Sequence, residues 1–184
     1  MKTHVMSVNL FNVKGFSTIE LIIFIAIAGI LASVSIPVFS NWMPEHRLKV
    51  RVNELYGDMH LTKMRAIKEN EKYKIVFSTE SNASYSLVDS DGRIEKTVEL
   101  SSNSTKKICF GCGNATKNAT KSGGTPPSDG VSYRNNTVTF NPRGTGSTGY
   151  VYLDNCKGSS YAIGTLSSGI IRIKKWDKSS KAWK

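Results

Sequence analysis

Apolar and polar positions divide this chain into three regimes. From Phe16 to Phe39 there is one charge, Glu20, in 24 residues, and between Leu21 and Ile36 only Gly29, Ser33 and Ser35 interrupt the apolar run. About 20 apolar residues in a helix cross a bilayer, so the run predicts a membrane-inserted helix. A different pattern follows. Leu48, Val52, Leu55, Met59, Thr62 or Lys63, and Ala66 recur at alternating steps of four and three, the stripe of an amphipathic helix. Lys49, Arg51, Asn53, Glu54, Asp58, Lys63 and Arg65 fall between them and read as a solvated face. Joined, the two stretches make a helix roughly 80 Å long. Pro44 suits a first-turn position, and Pro37 is expected to kink the helix or to be absorbed where a neighbouring subunit packs.

The third regime alternates with period two. Lys74–Thr79, Ser84–Asp89, Arg93–Leu100, Lys106–Phe110, Thr137–Asn141, Tyr150–Asp154, Ser160–Thr165 and Ile170–Trp176 read as strands in antiparallel pairing. Asp89-Ser90-Asp91-Gly92 and Ser167-Ser168-Gly169 are tight-turn signals, whereas the Gly-, Asn-, Ser- and Pro-rich stretch Gly111–Gly130 has no period and reads as a long loop. Gly144-x-Gly146-x-x-Gly149 has the letters of a dinucleotide fingerprint but lies between strands, without the helix N-terminus such a site needs, and reads as a hairpin loop. The expected class is α+β: a long N-terminal hydrophobic α-helix packed on a C-terminal antiparallel β-sheet head. The expected divisions are a leader at 1–15, a membrane or filament-core half-helix at 16–39, an amphipathic half-helix at 40–72 and a β-rich head at 73–184.

Composition alters this picture in two ways. The 184 residues carry 25 basic and 14 acidic side chains, a formal charge of +11. Mean hydropathy is −0.25, which excludes a polytopic membrane protein while concealing the one greasy run. Lys2 and Lys14 precede that run and so place the N-terminus in the cytoplasm and the remainder across the membrane. A cleaved secretory signal is the alternative, since Ala26-Ile27-Ala28 fits its small-x-small pattern. That site lies mid-run, with only about five apolar residues before it, and a cleaved signal has no use for the apolar stretch beyond.

Glu20 is the informative residue. A carboxylate in a spanning helix costs about 2.5–3.5 kcal/mol at the bilayer centre and less near its edge, so it needs a partner or must snorkel to the headgroups. Its setting is Lys14-Gly15-Phe16-Ser17-Thr18-Ile19-Glu20-Leu21. This stretch resembles the type IV pilin and type II secretion pseudopilin superfamily: a basic residue and Gly before a cut, then Phe, then Glu as the fifth mature residue. Pro37 falls at mature position 22, where pilins commonly carry proline. The resemblance implies cleavage between Gly15 and Phe16 by a prepilin peptidase and N-methylation of the new Phe16 amine. It further implies that Glu20 pairs with that cationic amine during assembly, within one subunit or between neighbours. The implied partners are other pilin or pseudopilin subunits, the peptidase and the bacterial inner membrane, with a single pass and the head in the periplasm or outside.

Later residues narrow the resemblance. Val138-Thr139-Phe140-Asn141-Pro142-Arg143-Gly144, Gly149-Tyr150-Val151-Tyr152-Leu153 and Lys63-Met64-Arg65-Ala66-Ile67 are similar to the GspH/FimT branch. That branch implies a minor pilin or pseudopilin with a tip or priming role, in a type IV pilus or in a secretion pseudopilus. Some FimT-group members bind DNA in natural transformation through a Gly-Arg-x-Arg motif in the last strand. The corresponding run here is Gly169-Ile170-Ile171-Arg172, which lacks the first Arg but is followed by Lys174 and Lys175.

Catalytic chemistry has little to stand on. His4, His46 and His60 sit in the leader and on the charged helix, and no nucleophile elbow, His-Glu-x-x-His or phosphate loop is present. Neither an enzyme nor a cofactor is expected. Cys109-Phe110-Gly111-Cys112 is a C-x-x-C pair with Cys156 far off. Gly113 in place of His excludes c-type haem attachment, and no fourth soft ligand has zinc spacing, so no metal is expected. Outside the cytoplasm the reading is a disulfide from Cys156 to Cys109 or Cys112, with a bond within the pair as the rival. The basic end, Ile170–Lys184, holds six cations against Asp177, a net +5, together with Trp176 and Trp183. Cations interleaved with aromatics suit phosphates and base faces, making Arg172, Lys174, Lys175 and Trp176 the candidate DNA-binding residues. A solubilising basic tail, or one facing anionic lipid or cell-wall polymer, is the plainer reading.

Overall fold

A computed structural model describes residues 15–80, 83–100, 108–120 and 124–184, the side chains at 34–38, 40 and 41 excepted. The leader cations Lys2 and Lys14, His4, and Lys106 and Lys107 of the fourth expected strand lie outside the described residues. So does the ring of Pro37. The chain forms two units, 1–41 and 42–184.

Helix α1 is assigned from Thr18 to Glu69. Pro37 and Pro44 both fall inside it, so Pro44 does not occupy a first turn as expected; each proline instead withholds one N–H from the helical ladder. Glu20 sits in the first turn, where a carboxylate suits the positive end of the helix dipole. The other end is closed by Asn70, at φ 56, while the amide of Glu71 reaches back to the carbonyl of Ala66 at 3.2 Å. Asn tolerates this left-handed position better than most residues, which is why the helix stops there. Among the described residues no helix is both long and apolar enough to cross a membrane; the described side chains of the apolar run break off after Ser33.

The remaining elements are strands β1 (Tyr73–Ser78), β2 (Ser84–Val88), β3 (Ile94–Glu99), β4 (Cys109–Phe110), β5 (Thr137–Phe140), β6 (Gly149–Asp154), β7 (Ser160–Thr165), β8 (Ile171–Asp177) and β9 (Ala182–Trp183). They make two antiparallel sheets, ordered β3-β2-β1-β5 and β4-β6-β7-β8-β9. The fold is α+β. Gly92 and Gly169 take φ of 85 and 74 at the two expected turns, a region that favours glycine.

The stripe Leu48, Val52, Leu55, Met59, Thr62 and Ala66 is buried, and its apolar members form one core with Ile75, Phe77 and Tyr85 of the first sheet and Val151, Leu153 and Ile163 of the second. Asp58 is a correction to the solvated face: it is buried, because Tyr85 and Lys96 satisfy its carboxylate. The segment around Gly146 is a further correction. It pairs briefly back on β5, through Phe140 and Gly146, and the chain then leaves for β6 in the other sheet. It is a turn followed by an inter-sheet crossing rather than a hairpin joining two neighbours.

All six residues of β6 and all six of β7 are buried, so the second sheet is covered on both faces. Alternation along β6 sends Val151 and Leu153 into the main core and Tyr150 and Tyr152 to the other side, where a second cluster contains Ala119, Ala162, Cys112 and Trp183. The cover on that side includes described residues of the 111–130 segment, Cys112 and Ala119. That segment's described residues contain no helix or strand, yet they help close a core.

Candidate functional site

Gly15 and Phe16 precede α1, and both are exposed; the Phe16 side chain is 82 % exposed. Among the described residues, nothing lies within 4 Å of a Cβ built on Gly15. Glu20 is exposed one turn further on. Ile22, Ile23, Phe24, Ile25, Ile27, Ile30 and Leu31 are also exposed, and they point to every side of the helix.

The basic end is a two-stranded structure, not a tail. Strand alternation puts Arg172, Lys174 and Trp176 on one face of β8 and Lys175 on the other, so the four candidates do not share a surface. Trp176 is only 5 % exposed and meets Trp183 edge-on, with ring centroids 5.2 Å apart. A base cannot stack on it. Lys174 donates to the carbonyl of Ala119 at 2.6 Å and lies over the Tyr150 ring. Lys175 pairs with Glu45 of α1 and lies over Tyr161, and the Glu45 bond raises its pKa. Lys184 pairs with Asp177, which together with the side chain of Ser180 and the amide of Ser179 holds that carboxyl well below the usual range. Arg172 is exposed and, among the described residues, makes no such hydrogen bond, ion pair or ring contact.

Sequence reasoning missed the work these residues do for the 111–130 segment. Trp183 Nε1 donates to the carbonyl of Lys117 at 2.6 Å, Lys174 holds that of Ala119, and Tyr152 Oη accepts the Ala119 amide at 2.8 Å. The aromatic and basic residues of the C-terminal strands thus anchor the second cover. The available signal was β6 itself, Gly-Tyr-Val-Tyr-Leu-Asp, whose lack of polar alternation indicates burial on both faces. Gly164 belongs to the same packing, since a Cβ there would collide with the Tyr150 ring and the Gly149 carbonyl.

Cys109 and Asp154 are register partners across β4 and β6. Cys109 Sγ lies 3.3 Å from Cys156 Sγ and 3.7 Å from Asp154 Oδ1. Cys112 is separate, its sulfur 3.8 Å from the Pro127 carbonyl. Among the described residues the two histidines lie apart: His46 stacks on Trp42, and half-buried His60 meets Tyr56 edge-on.

Among the described residues no nucleophile, base and oxyanion donor come together. What the fold does present is a helix with two exposures and a head with a doubly covered sheet. A family model for type II transport protein GspH matches residues 51–169, from the amphipathic half of α1 to the turn before β8. The chain belongs to the GspH family. Comparison with curated proteins and with solved structures gave no match. Membership makes the chain a pseudopilin or minor pilin of the type II secretion kind, whose partners are other pseudopilin subunits. The matched segment contains the stripe from Val52 onward, the glycine turn at Gly144 and both Tyr150 and Tyr152. The Lys14–Glu20 motif and the hairpin from Ile170 onward lie outside it.

Proposed function

We propose that the chain is a membrane-anchored precursor, cut between Gly15 and Phe16, methylated at the Phe16 amine and incorporated through Glu20 into a pseudopilus or pilus, where it takes a tip or priming position. One observation carries this reading. Along a single helix, Leu48 and Leu55 are 0 % exposed, whereas Phe24 and Ile30 are 68 % and 67 % exposed. Burying apolar surface contributes about 25 cal/mol per Å², so side chains such as these on all sides of a helix are left in water only at considerable cost. Lipid before assembly, and the helices of other subunits afterwards, are the covers that fit. The leader lysines orient the segment with the head across the inner membrane. No catalytic role is assigned to any residue.

In this reading Glu20 and the Phe16 amine are desolvated together, so removing one strands the other. Co-expression with a prepilin peptidase tests it. A bulky substitution at Gly15 should leave the uncut precursor, while Glu20→Ala should be cut normally and fail to enter sheared filaments. Normal incorporation of Glu20→Ala would remove the role given to the carboxylate. DNA uptake is the weaker alternative. Its best stacking residue, Trp176, is committed to the interior, and Lys174 is committed to the Ala119 carbonyl.

A further inference from the structure

The sequence leaves three cysteine pairings open, and the fold separates them. Asp154, opposite Cys109 in the β4–β6 ladder, accepts the backbone N–H of Cys156 at 2.6 Å through Oδ1. That bond turns the chain sharply just after β6. Cys156 takes φ 52, a conformation uncommon outside glycine and asparagine, and the turn carries its sulfur back over the strand to 3.3 Å from that of Cys109. Cys112 faces the other way. It packs half-buried against the second cluster, and Ser160 Oγ donates to its carbonyl at 3.0 Å. Bonding it to either other cysteine would draw it out of that packing.

We propose that Cys109 and Cys156 form a disulfide that clamps the start of the 111–130 segment to the turn between β6 and β7, with Cys112 kept as a half-buried thiol. The proposal rests on the reading above that the head lies on the oxidising side of the membrane. Exposed Cys156 supplies the attacking thiolate. It displaces one sulfur of an oxidised dithiol donor, a protein or glutathione disulfide, and forms a mixed disulfide. Cys109 then attacks the Cys156 sulfur and releases the second donor sulfur. Two protons and two electrons leave with the donor, now a dithiol. Cys112 takes no part: burial first, then the charges of Asp154 and Asp129, push its thiol up to about 12 and keep it protonated.

The bond has a mechanical purpose. Strand β4 is two residues long, too short to hold the segment that follows it, and that segment covers Tyr150 and Tyr152. A link across 47 positions restricts the unfolded chain strongly and fixes β4 at the sheet edge. Cys109, Asp154 and Cys156 also place their ligand atoms within 4.8 Å of one another, as a metal site would. Asp154 Oδ1 is, however, already taken by the Cys156 amide, and a structural zinc site uses four protein ligands where this cluster has three.

The test uses the full chain in detergent, equilibrated in glutathione redox buffer, then denatured, alkylated and mapped by peptide mass spectrometry. The expected result is a Cys109–Cys156 linked peptide with Cys112 alkylated. Reduction should lower the thermal midpoint by several degrees in the parent and in Cys112→Ser, but not in Cys109→Ser or Cys156→Ser. Cys112 in a linked peptide would overturn the proposal, as would three alkylated thiols after oxidation, or zinc protecting Cys109 and Cys156 with no bond formed. A bond made in glutathione but missing from chain alkylated inside living cells supports the pairing and overturns the compartment reading instead.

Discussion

The hydroxyl of Tyr85, on β2, donates to the buried carboxylate of Asp58, on α1, at 2.7 Å. Lys96 of β3 closes on the same carboxylate at 2.8 and 2.9 Å, so one acidic side chain ties the helix to two strands. Burial first, then this hydrogen bond, push the Tyr85 phenol far above the ordinary tyrosine range. Breaking a buried pair by removing one partner costs about 3–5 kcal/mol, and Lys96 is 42 % exposed, so the lower end applies. Asp58→Ala should therefore lose about 3 kcal/mol in urea unfolding, and Tyr85→Phe about 1 kcal/mol. Equal losses would mean that Lys96 does not need the carboxylate.

A pH effect follows from His60. Burial, and secondly the charge of Lys63, lower its pKa from the ordinary 6.5. The unfolded chain therefore takes up a proton near 6.5 that the folded chain refuses until lower pH. Between those two values the unfolded state binds more protons, so this contribution to stability is complete above 6.5 and declines as pH falls through the window. Thermal midpoints measured above and below that value should differ less in His60→Gln than in the parent. An unchanged difference would assign the effect to other groups.

How much of this was legible varies with the range of the interaction. The Leu48–Ala66 stripe was plain because helical periodicity is a local property, and seven of the expected strands lie within a residue or two of those found for the same reason. Asp58 was misread because its charge suggested solvent, while its partners Tyr85 and Lys96 stand 27 and 38 positions away. The division into two sheets was hidden similarly: β5 pairs with β1, far back in the chain, although β6 follows it directly. Strand β9 is two residues long and carries no period to read. At the candidate site, the Gly15–Glu20 motif is one contiguous run, so the proposal built on it draws on local sequence alone. The basic end was not, because which face of β8 a side chain takes depends on the whole sheet.

Trp176 gives the sharpest separation between DNA contact and packing. Truncating a buried Trp costs about 3–5 kcal/mol, so Trp176→Ala should lower the thermal midpoint markedly whether or not DNA is present. Arg172→Glu, at an exposed position, should leave stability within about 0.5 kcal/mol. Gel shifts over a salt series on Arg172→Glu should show no change from the parent. A folded Arg172→Glu protein that loses low-salt binding would restore the DNA reading through that one residue.

The cover over the second cluster should loosen one hydrogen bond at a time. Tyr152 Oη accepts the amide of Ala119, and burial pushes that phenol up to about 12 against the opposing effect of this bond. Tyr152→Phe keeps the ring in the cluster and leaves the Ala119 N–H buried without its acceptor, at about 1–3 kcal/mol. If the 111–130 segment opens on its own, that cost appears as local opening, and hydrogen exchange at Ala119 should speed up by about tenfold for each 1.4 kcal/mol. Amides of β7, which pair within the sheet, should keep their protection. Lys174→Met should act on the same segment from the carbonyl side of Ala119 and speed the same amide less, because a carbonyl with two lone pairs tolerates a lost donor better than a buried N–H tolerates a lost acceptor. If β7 amides accelerated in step with Ala119, the cover and the sheet would be one cooperative unit, and the segment would have no opening of its own.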